Sequence, residues 1–174
     1  MDKLIGFPEM GNYYIPAKFL FSHILNCKVM NRVKITKKTI ELGTKYSPDF
    51  VCTPFKYTLG TMIEMLENGA NVIIQFGGGC RYGYYSELQE QILNDLGYNF
   101  KYINLITAGK ANIKQIYKEI KLLDSKFNIF KGAYYLLITI LMVKYMDKVD
   151  NYIRHNIGFE ESNGTLEKLN NEMI

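Results

Sequence analysis

Short apolar runs that alternate with longer amphipathic segments most constrain what this chain can fold into. Apolar runs at residues 3–7, 27–33, 50–52, 72–76 and 100–106 have the length and composition of buried strands. Between them, apolar residues recur at three- and four-residue spacing and Pro, Gly and Asn mark the ends, which predicts helices. Such alternation is typical of a parallel sheet covered by helices. We predict a Rossmann-like α/β fold with about five parallel strands in flavodoxin-like order and helices on both faces.

After residue 110 the strands stop. Asn112–Leu123 predicts one helix and Ile129–His155 predicts a second, long one. We therefore predict an α/β domain at 1–110, and at 111–174 a helical extension that leads to a second domain absent from this chain. The apolar stripe of the long helix is broader than one flank of the sheet can cover, which favours a homodimer through Ile129–His155. Its centre would be Tyr134, Leu137, Ile138, Leu141 and Tyr145; alternatively, the helix folds back across its own sheet.

Charge and cysteine usage limit the classes of partner. The net charge is +4, but most of the cations are scattered lysines, which does not favour nucleic-acid binding. Three cysteines without a secretory leader argue against a disulfide framework and favour a reducing cytoplasm. The most apolar stretch, Ala133–Val143, ends at Lys144 and is too short to cross a bilayer. We expect a soluble cytoplasmic protein without nucleic-acid or membrane partners.

Residues 72–87 form the most informative local pattern, a buried strand followed by a glycine turn and a helix. Three consecutive glycines, Gly77 to Gly79, permit backbone angles that other residues avoid, so a tight turn can present Cys80 and Arg81. Backbone N–H groups at the start of the next helix suit an anion. A glycine-rich turn around a buried structural cysteine explains the same residues equally well.

A second cysteine is predicted to approach this turn. Ligands of doubly wound sheets bind at the carboxyl ends of the strands. We expect Cys52 to close the third strand and Cys80 to follow the fourth, so that both thiols lie at one edge. Cys27, which begins a strand, would lie at the opposite edge as a small buried hydrophobe. We interpret Glu64 and Glu87 as solvated carboxylates, and the sequence identifies no catalytic residue.

Several kinds of chemistry remain open for these two thiols. A closed zinc site needs four ligands, and the two histidines lie on helices elsewhere. An iron–sulfur cluster would need further ligands from another domain, another subunit or a substrate. A reactive cysteine pair is a third option, although the Cys-x-x-Cys spacing is missing.

Two motifs resemble a known family. Cys52-Thr53-Pro54-Phe55-Lys56 followed by Gly60 is similar to the Cys-x-Pro-x-Lys-x-x-x-Gly motif of the 2-hydroxyacyl-CoA dehydratase component family. The stretch from Gly78 to Tyr85 is similar to the Gly-Pro-Cys-Arg-Phe-Gly-x-Tyr segment of its acyl-CoA dehydratase activase-related branch, with Gly79 where that branch often has proline. The resemblance covers essentially the whole chain, but family members are about twice as long.

The resemblance implies an iron–sulfur protein. Cys52 and Cys80 would ligate a four-iron or double-cubane cluster, and Gly78, Gly79 and Gly83 would let it approach backbone amides. In full-length relatives, hydro-lyases or related reductases, an ATP-hydrolysing activator supplies an electron that allows water to leave a 2-hydroxyacyl-CoA. We expect this shorter chain to be inactive alone and to hold an incomplete cluster or none.

Two other functions stay open. In the first, Arg81, Lys56 and the glycine turn hold the phosphates of CoA or a nucleotide without redox chemistry, although neither standard phosphate-loop spacing is present. In the second, the domain is purely structural or regulatory.

Overall fold

A computed structural model of the protein describes residues 3–76, 85–105, 112–160 and 162–173. Within these ranges it has mixed α/β architecture. The strands are β1 (Leu4–Gly6), β2 (Lys28–Val29), β3 (Val72–Gln75) and β4 (Lys101–Asn104). The helices are α1 (Tyr14–Ile24), α2 (Lys37–Tyr46), α3 (Thr53–Glu67), α4 (Tyr85–Asp95), α5 (Ile113–Leu123), α6 (Ile129–Asn156) and α7 (Thr165–Met173). Short 3-10 turns occupy Gly11–Tyr13 and Ile157–Phe159.

The four strands form one parallel sheet in the order β2-β1-β3-β4. Ile5 pairs with Val72, and Ile73 pairs with Tyr102, so the strands share one direction and end at one edge. The chain crosses from β1 to β2 on one side and later to β3 on the other, which places the reversal of strand order between β1 and β3. The prediction of a parallel α/β sheet with a long C-terminal helix is confirmed, whereas five strands is wrong because the described chain has four.

The predicted strand that the structure lacks is Phe50-Val51-Cys52. Phe50 is 87% exposed and Val51 donates its N–H to the carbonyl of Pro48, as in a turn. Three apolar residues are too few to separate a strand from a loop by pattern alone. The segment connects α2 directly to α3, and Cys52 is the N-cap residue of α3 rather than the end of a strand.

Two glycines set the close crossing of α2 and α3. A Cβ atom on Gly43 would lie 1.8 Å from the carbonyl oxygen of Lys56, and one on Gly60 would lie 2.0 Å from that of Thr39. No side chain fits at either position, so the two helices approach with backbone against backbone. Next to this crossing Thr39 donates to the buried carboxylate of Glu64 at 2.6 Å. The interpretation of Glu64 as solvated is wrong, because helix packing encloses it.

The chain divides into two compact units, each built from separate segments. The first unit comprises Met1–Met10 and Leu25–Phe127, and thus the sheet with α2 to α5. Its core lies between the sheet, α3 and α4, and all four residues of β3 are buried. The second unit comprises Gly11–Ile24 and Asn128–Ile174. The predicted domains 1–110 and 111–174 stay a prediction.

In the second unit α1 packs against α6. The ring of Tyr135 lies 5.8 Å from that of Phe19 and 4.7 Å from that of His23, and the hydroxyl of Tyr13 donates to Asp147. Of the predicted centre of the stripe, Ile138 is half-buried and the other four residues are exposed. Ile129–Phe159, the helix with its terminal turn, is by length and composition the one span in the described ranges that could cross a membrane, and little of it is buried.

Candidate functional site

The candidate site lies where β1 and β3 end and α3 begins. α3 ends at Glu67, and a turn through Gly69, whose φ is 92°, leads into β3. The helix therefore runs antiparallel to β3, and its first turns lie at the carboxyl edge of the sheet. The backbone N–H of Glu9, after β1, donates to the hydroxyl of Thr61 at 3.3 Å and ties the β1 loop to α3.

Cys52 stands at the N-terminus of α3 with an exposed side chain. Its thiol makes no cap hydrogen bond, and the first turn of α3 contains no acidic residue. The first N–H groups of a helix have no intrahelical acceptors and carry partial positive charge. An anion or a thiolate ligand is therefore favoured at this position. The structure brings Cys52 to the predicted edge, but at the start of the helix before β3 instead of at a strand end.

A buried chain of amides fixes this helix start to the end of β3. Gln75, the last residue of β3, donates to the side-chain oxygen of Gln89 at 2.9 Å. Gln89 donates in turn to the hydroxyl of Thr58 at 2.7 Å. Gln89 is fully buried and Gln75 is 6% exposed. Buried polar groups that are satisfied by each other rigidify their surroundings, so β3, α3 and α4 are held in one arrangement at this edge.

The start of α4 packs on the same turn of α3. The rings of Phe55 and Tyr85 meet edge to face with centroids 4.9 Å apart, and the hydroxyls of Thr58 and Tyr85 are 3.3 Å apart. β3 and α4 are joined by residues 77–84. Five predicted site residues, Gly78, Gly79, Cys80, Arg81 and Gly83, lie outside the described residues. The predicted meeting of Cys52 with Cys80 stays a prediction.

Lys56, the remaining predicted site residue, lies in the first turns of α3 and is half-buried. Its backbone carbonyl is the one that Gly43 contacts. Close packing therefore fixes the backbone of Lys56, which lies about one turn after Cys52 on the same helix. Its predicted part in phosphate binding stays a prediction.

An ion pair beside the β1 loop has no signal in the sequence. Arg32 donates to both carboxylate oxygens of Glu9, at 2.8 and 2.6 Å. The Glu9 side chain is only 4% exposed and the Arg32 side chain 38%. The paired residues are distant in sequence, and no local pattern links them. This bidentate contact holds the loop after β1, which follows the strand next to the reversal of strand order.

The carboxyl edge of the sheet is acidic where α4, β4 and α5 meet. A cavity of about 230 Å³ lies between α4, β4 and α5, with Glu87, Glu90 and Glu119 in its lining. Glu87 is half-buried and accepts a hydrogen bond from Asn104 at 3.5 Å. Burial, together with the charge of Glu87, raises the pKa of Glu90. A further anion is disfavoured in this cavity, whereas the start of α3 favours one.

The described residues fit an iron–sulfur cluster only in part. Such clusters usually take four thiolates, and the one described thiol at this edge is Cys52. Among the described side chains, no group of three or more His, Cys, Asp and Glu residues is placed to hold a metal ion. Cys27 directly precedes β2 and lies at the amino edge, where burial raises the pKa of its thiol. Further ligands would have to come from Cys80 and from outside the described residues.

Comparisons with protein-family models, with curated proteins and with solved structures found no match to this chain.

Proposed function

We propose that this chain is the iron–sulfur-binding domain of a 2-hydroxyacyl-CoA dehydratase-type or activase-related redox protein. In this proposal it is a cytoplasmic Rossmann-like domain with flavodoxin-like strand order, and Cys52 and Cys80 ligate the cluster. The cluster, when bound, supplies one-electron transfer. The implied partners are an ATP-dependent activator protein and an acyl-CoA. We propose that the isolated domain has no turnover, because its two thiols complete only part of a ligand set.

One observation carries the proposal: Cys52 is exposed at the N-terminus of α3, at the same sheet edge where β3 leads into the segment that contains Cys80. The chain's own groups would act there in two ways. The positive end of α3 lowers the cost of a thiolate at Cys52. The Gln75–Gln89–Thr58 chain holds that helix end against β3, so Cys52 has a fixed position relative to the end of β3.

Anaerobic reconstitution of the chain with ferrous iron, sulfide and excess dithiothreitol, whose thiolates supply the ligands that the chain lacks, tests the proposal. We expect bound iron and visible absorption that fall by at least half in Cys52→Ser and in Cys80→Ser. Cys27→Ser is the matched control, because this thiol lies at the opposite edge, and its iron content should equal that of the wild type. Equal iron in Cys52→Ser and wild type, or no iron in the wild type, would remove the assignment.

A second function is favoured by the uncapped start of α3. This helix end receives no side-chain cap hydrogen bond from Cys52, has no acidic residue in its first turn, and has Lys56 close behind Cys52. The same features suit the phosphates of CoA or a nucleotide, bound without redox chemistry.

Calorimetry with CoA, acetyl-CoA and ATP separates this function from the first. We expect Lys56→Gln to weaken phosphate binding about tenfold if one charge-assisted contact is lost. Lys37→Gln, in the first turn of the capped helix α2, serves as the control and should bind like the wild type. No heat at millimolar concentrations of any of the three ligands would exclude this function.

A further inference from the structure

One side of α6 carries an apolar seam that no described element covers. α6 packs against α1, and its buried side includes Thr139, Met146 and Val149. With 3.6 residues per turn, the opposite side presents residues at alternating spacings of four and three. We call these residues the α6 seam, and their exposed fractions are large: Phe130 84%, Tyr134 61%, Leu137 64% and Leu141 64%.

The exposed apolar area of the α6 seam and its flanking residues equals what one partner contributes to a protein–protein interface. Leu136, Ile140 and Tyr145 flank the seam and are 48%, 42% and 48% exposed. At roughly 200 Å² per large side chain, the seam and its flanks leave about 800 Å² of apolar surface exposed. The largest apolar patch of a typical monomer is about 300–600 Å². A partner in an interface of standard size contributes about 800 Å².

The charges along α6 limit what can cover the seam. Lys144 and Lys148 continue the four-three spacing beyond Leu141, so the same side of the helix turns basic. The apolar part, Phe130–Leu141, is about 17 Å long, whereas the hydrocarbon core of a bilayer is about 30 Å thick. A spanning α6 would also have to give up its packing against α1. A second helix with an equally short apolar seam fits both the length of the seam and the lysines that follow it.

We propose that the α6 seam binds the α6 seam of a second copy of this chain in antiparallel orientation. A two-fold axis between Tyr134 and Leu137 would place Phe130 of one copy beside Leu141 of the other. Lys144 and Lys148 then lie beyond the apolar contact. In a parallel pair, each of these lysines would instead face its own counterpart, which like-charge repulsion opposes.

Light scattering across a dilution series tests the dimer. We expect the wild type to dissociate reversibly on dilution. Leu137→Glu and Leu141→Glu should each weaken the dimer more than about 100-fold, because each change occurs twice across a two-fold interface. Leu122→Glu is the matched control: this residue is 67% exposed on α5, and the variant should dimerise like the wild type. Circular dichroism verifies that each variant keeps its helix content.

Two further outcomes would overturn the proposal. Lys148→Gln should leave the dissociation constant within about twofold of the wild type, and a tighter dimer, as expected when like-charge repulsion between facing lysines is removed, would contradict the antiparallel orientation. A wild type that is monomeric at every concentration contradicts the dimer itself. If that monomer floats with phosphatidylcholine vesicles and Leu137→Glu does not, the seam binds lipid.

Discussion

At the scale of single residues, Gly60 shows how one missing side chain positions a whole helix. A Cβ atom there would lie 2.0 Å from the backbone oxygen of Thr39, so Gly60→Ala must push α2 away from α3. We expect a loss of about 2–3 kcal/mol in the free energy of unfolding, measured with urea. Gly158→Ala is the control: no heavy atom lies within 4 Å of its added Cβ, and the change should be under about 0.5 kcal/mol.

Arg32 provides a second residue-scale prediction. Arg32→Leu removes the bidentate partner of Glu9 and leaves a carboxylate with a side chain 4% exposed. We expect a loss of about 2–3 kcal/mol in the free energy of unfolding. Arg154→Leu breaks a 3.7 Å pair with Asp150 whose arginine is 73% exposed, and it should cost under about 0.5 kcal/mol. Similar losses of stability in the two variants would show that burial of an ion pair does not determine its contribution to the free energy of unfolding.

The raised pKa of Tyr13 predicts that folding stability depends on pH in the alkaline range. The hydrogen bond to Asp147, with burial and the nearby carboxylate charges, raises its pKa to about 12 from 10.0. Below pH 10 the phenol is protonated in both states and its contribution is complete. As pH rises from 10 to 12 the unfolded chain releases this proton first, so folding stability falls. Urea titrations at several pH values should show a shallower decline for Tyr13→Phe, and parallel curves would refute this linkage.

At the scale of elements, the hydrogen-bonded chain Gln75–Gln89–Thr58 joins β3 to α3, and a substitution of Gln89 tests its contribution to stability. Gln89→Leu keeps the volume but removes the acceptor of Gln75 and one of the donors to Thr58. Because these groups are buried, we expect a loss of about 2–3 kcal/mol in the free energy of unfolding. Gln91→Leu, on the exposed side of α4, removes only a hydrogen bond to Asp95 and should change stability by less than about 0.5 kcal/mol.

Periodicity predicted the helices well and the contacts between elements poorly. Pro54 and Asn68-Gly69 mark the ends of α3, which runs from Thr53 to Glu67, because end signals are local. The pattern of Phe50-Val51-Cys52 predicts a strand wrongly, because three apolar residues do not distinguish a strand from the turn between α2 and α3. The pairing of Gln75 with Gln89 has no local signal, since an amide inside an apolar run does not indicate a partner 14 residues away. The prediction that Cys52 lies at the carboxyl edge of the sheet agrees with the structure, but Cys52 lies there because it begins α3 and not because it ends a strand.

At the scale of the whole molecule, residues 11–24 group with residues 128–174. No local sequence pattern predicts that these two distant segments belong to one unit. A chain that ends after Phe127 would remove Tyr135 and the rest of α6 from α1. We expect chymotrypsin to cut this shortened chain after Phe19 and Phe21 at least tenfold faster than the full chain. Cleavage after Phe50, 87% exposed in the loop before α3, is the internal control and should proceed equally in both.

The distant pairing of α1 with α6 has a consequence during synthesis. Roughly a hundred residues separate the end of α1 from the start of α6, and a ribosome adds about 5–20 residues per second. The nascent chain therefore carries α1 for about 5–20 seconds before its partner has been made. During that interval Phe19 and Tyr135 cannot meet, and the apolar side of α1 is open to chaperones and to neighbouring nascent chains. Slower translation of the codons for residues 25–128 would lengthen this exposure, whereas moving the codons of α1 behind those of α6 in a circularly permuted gene would abolish it.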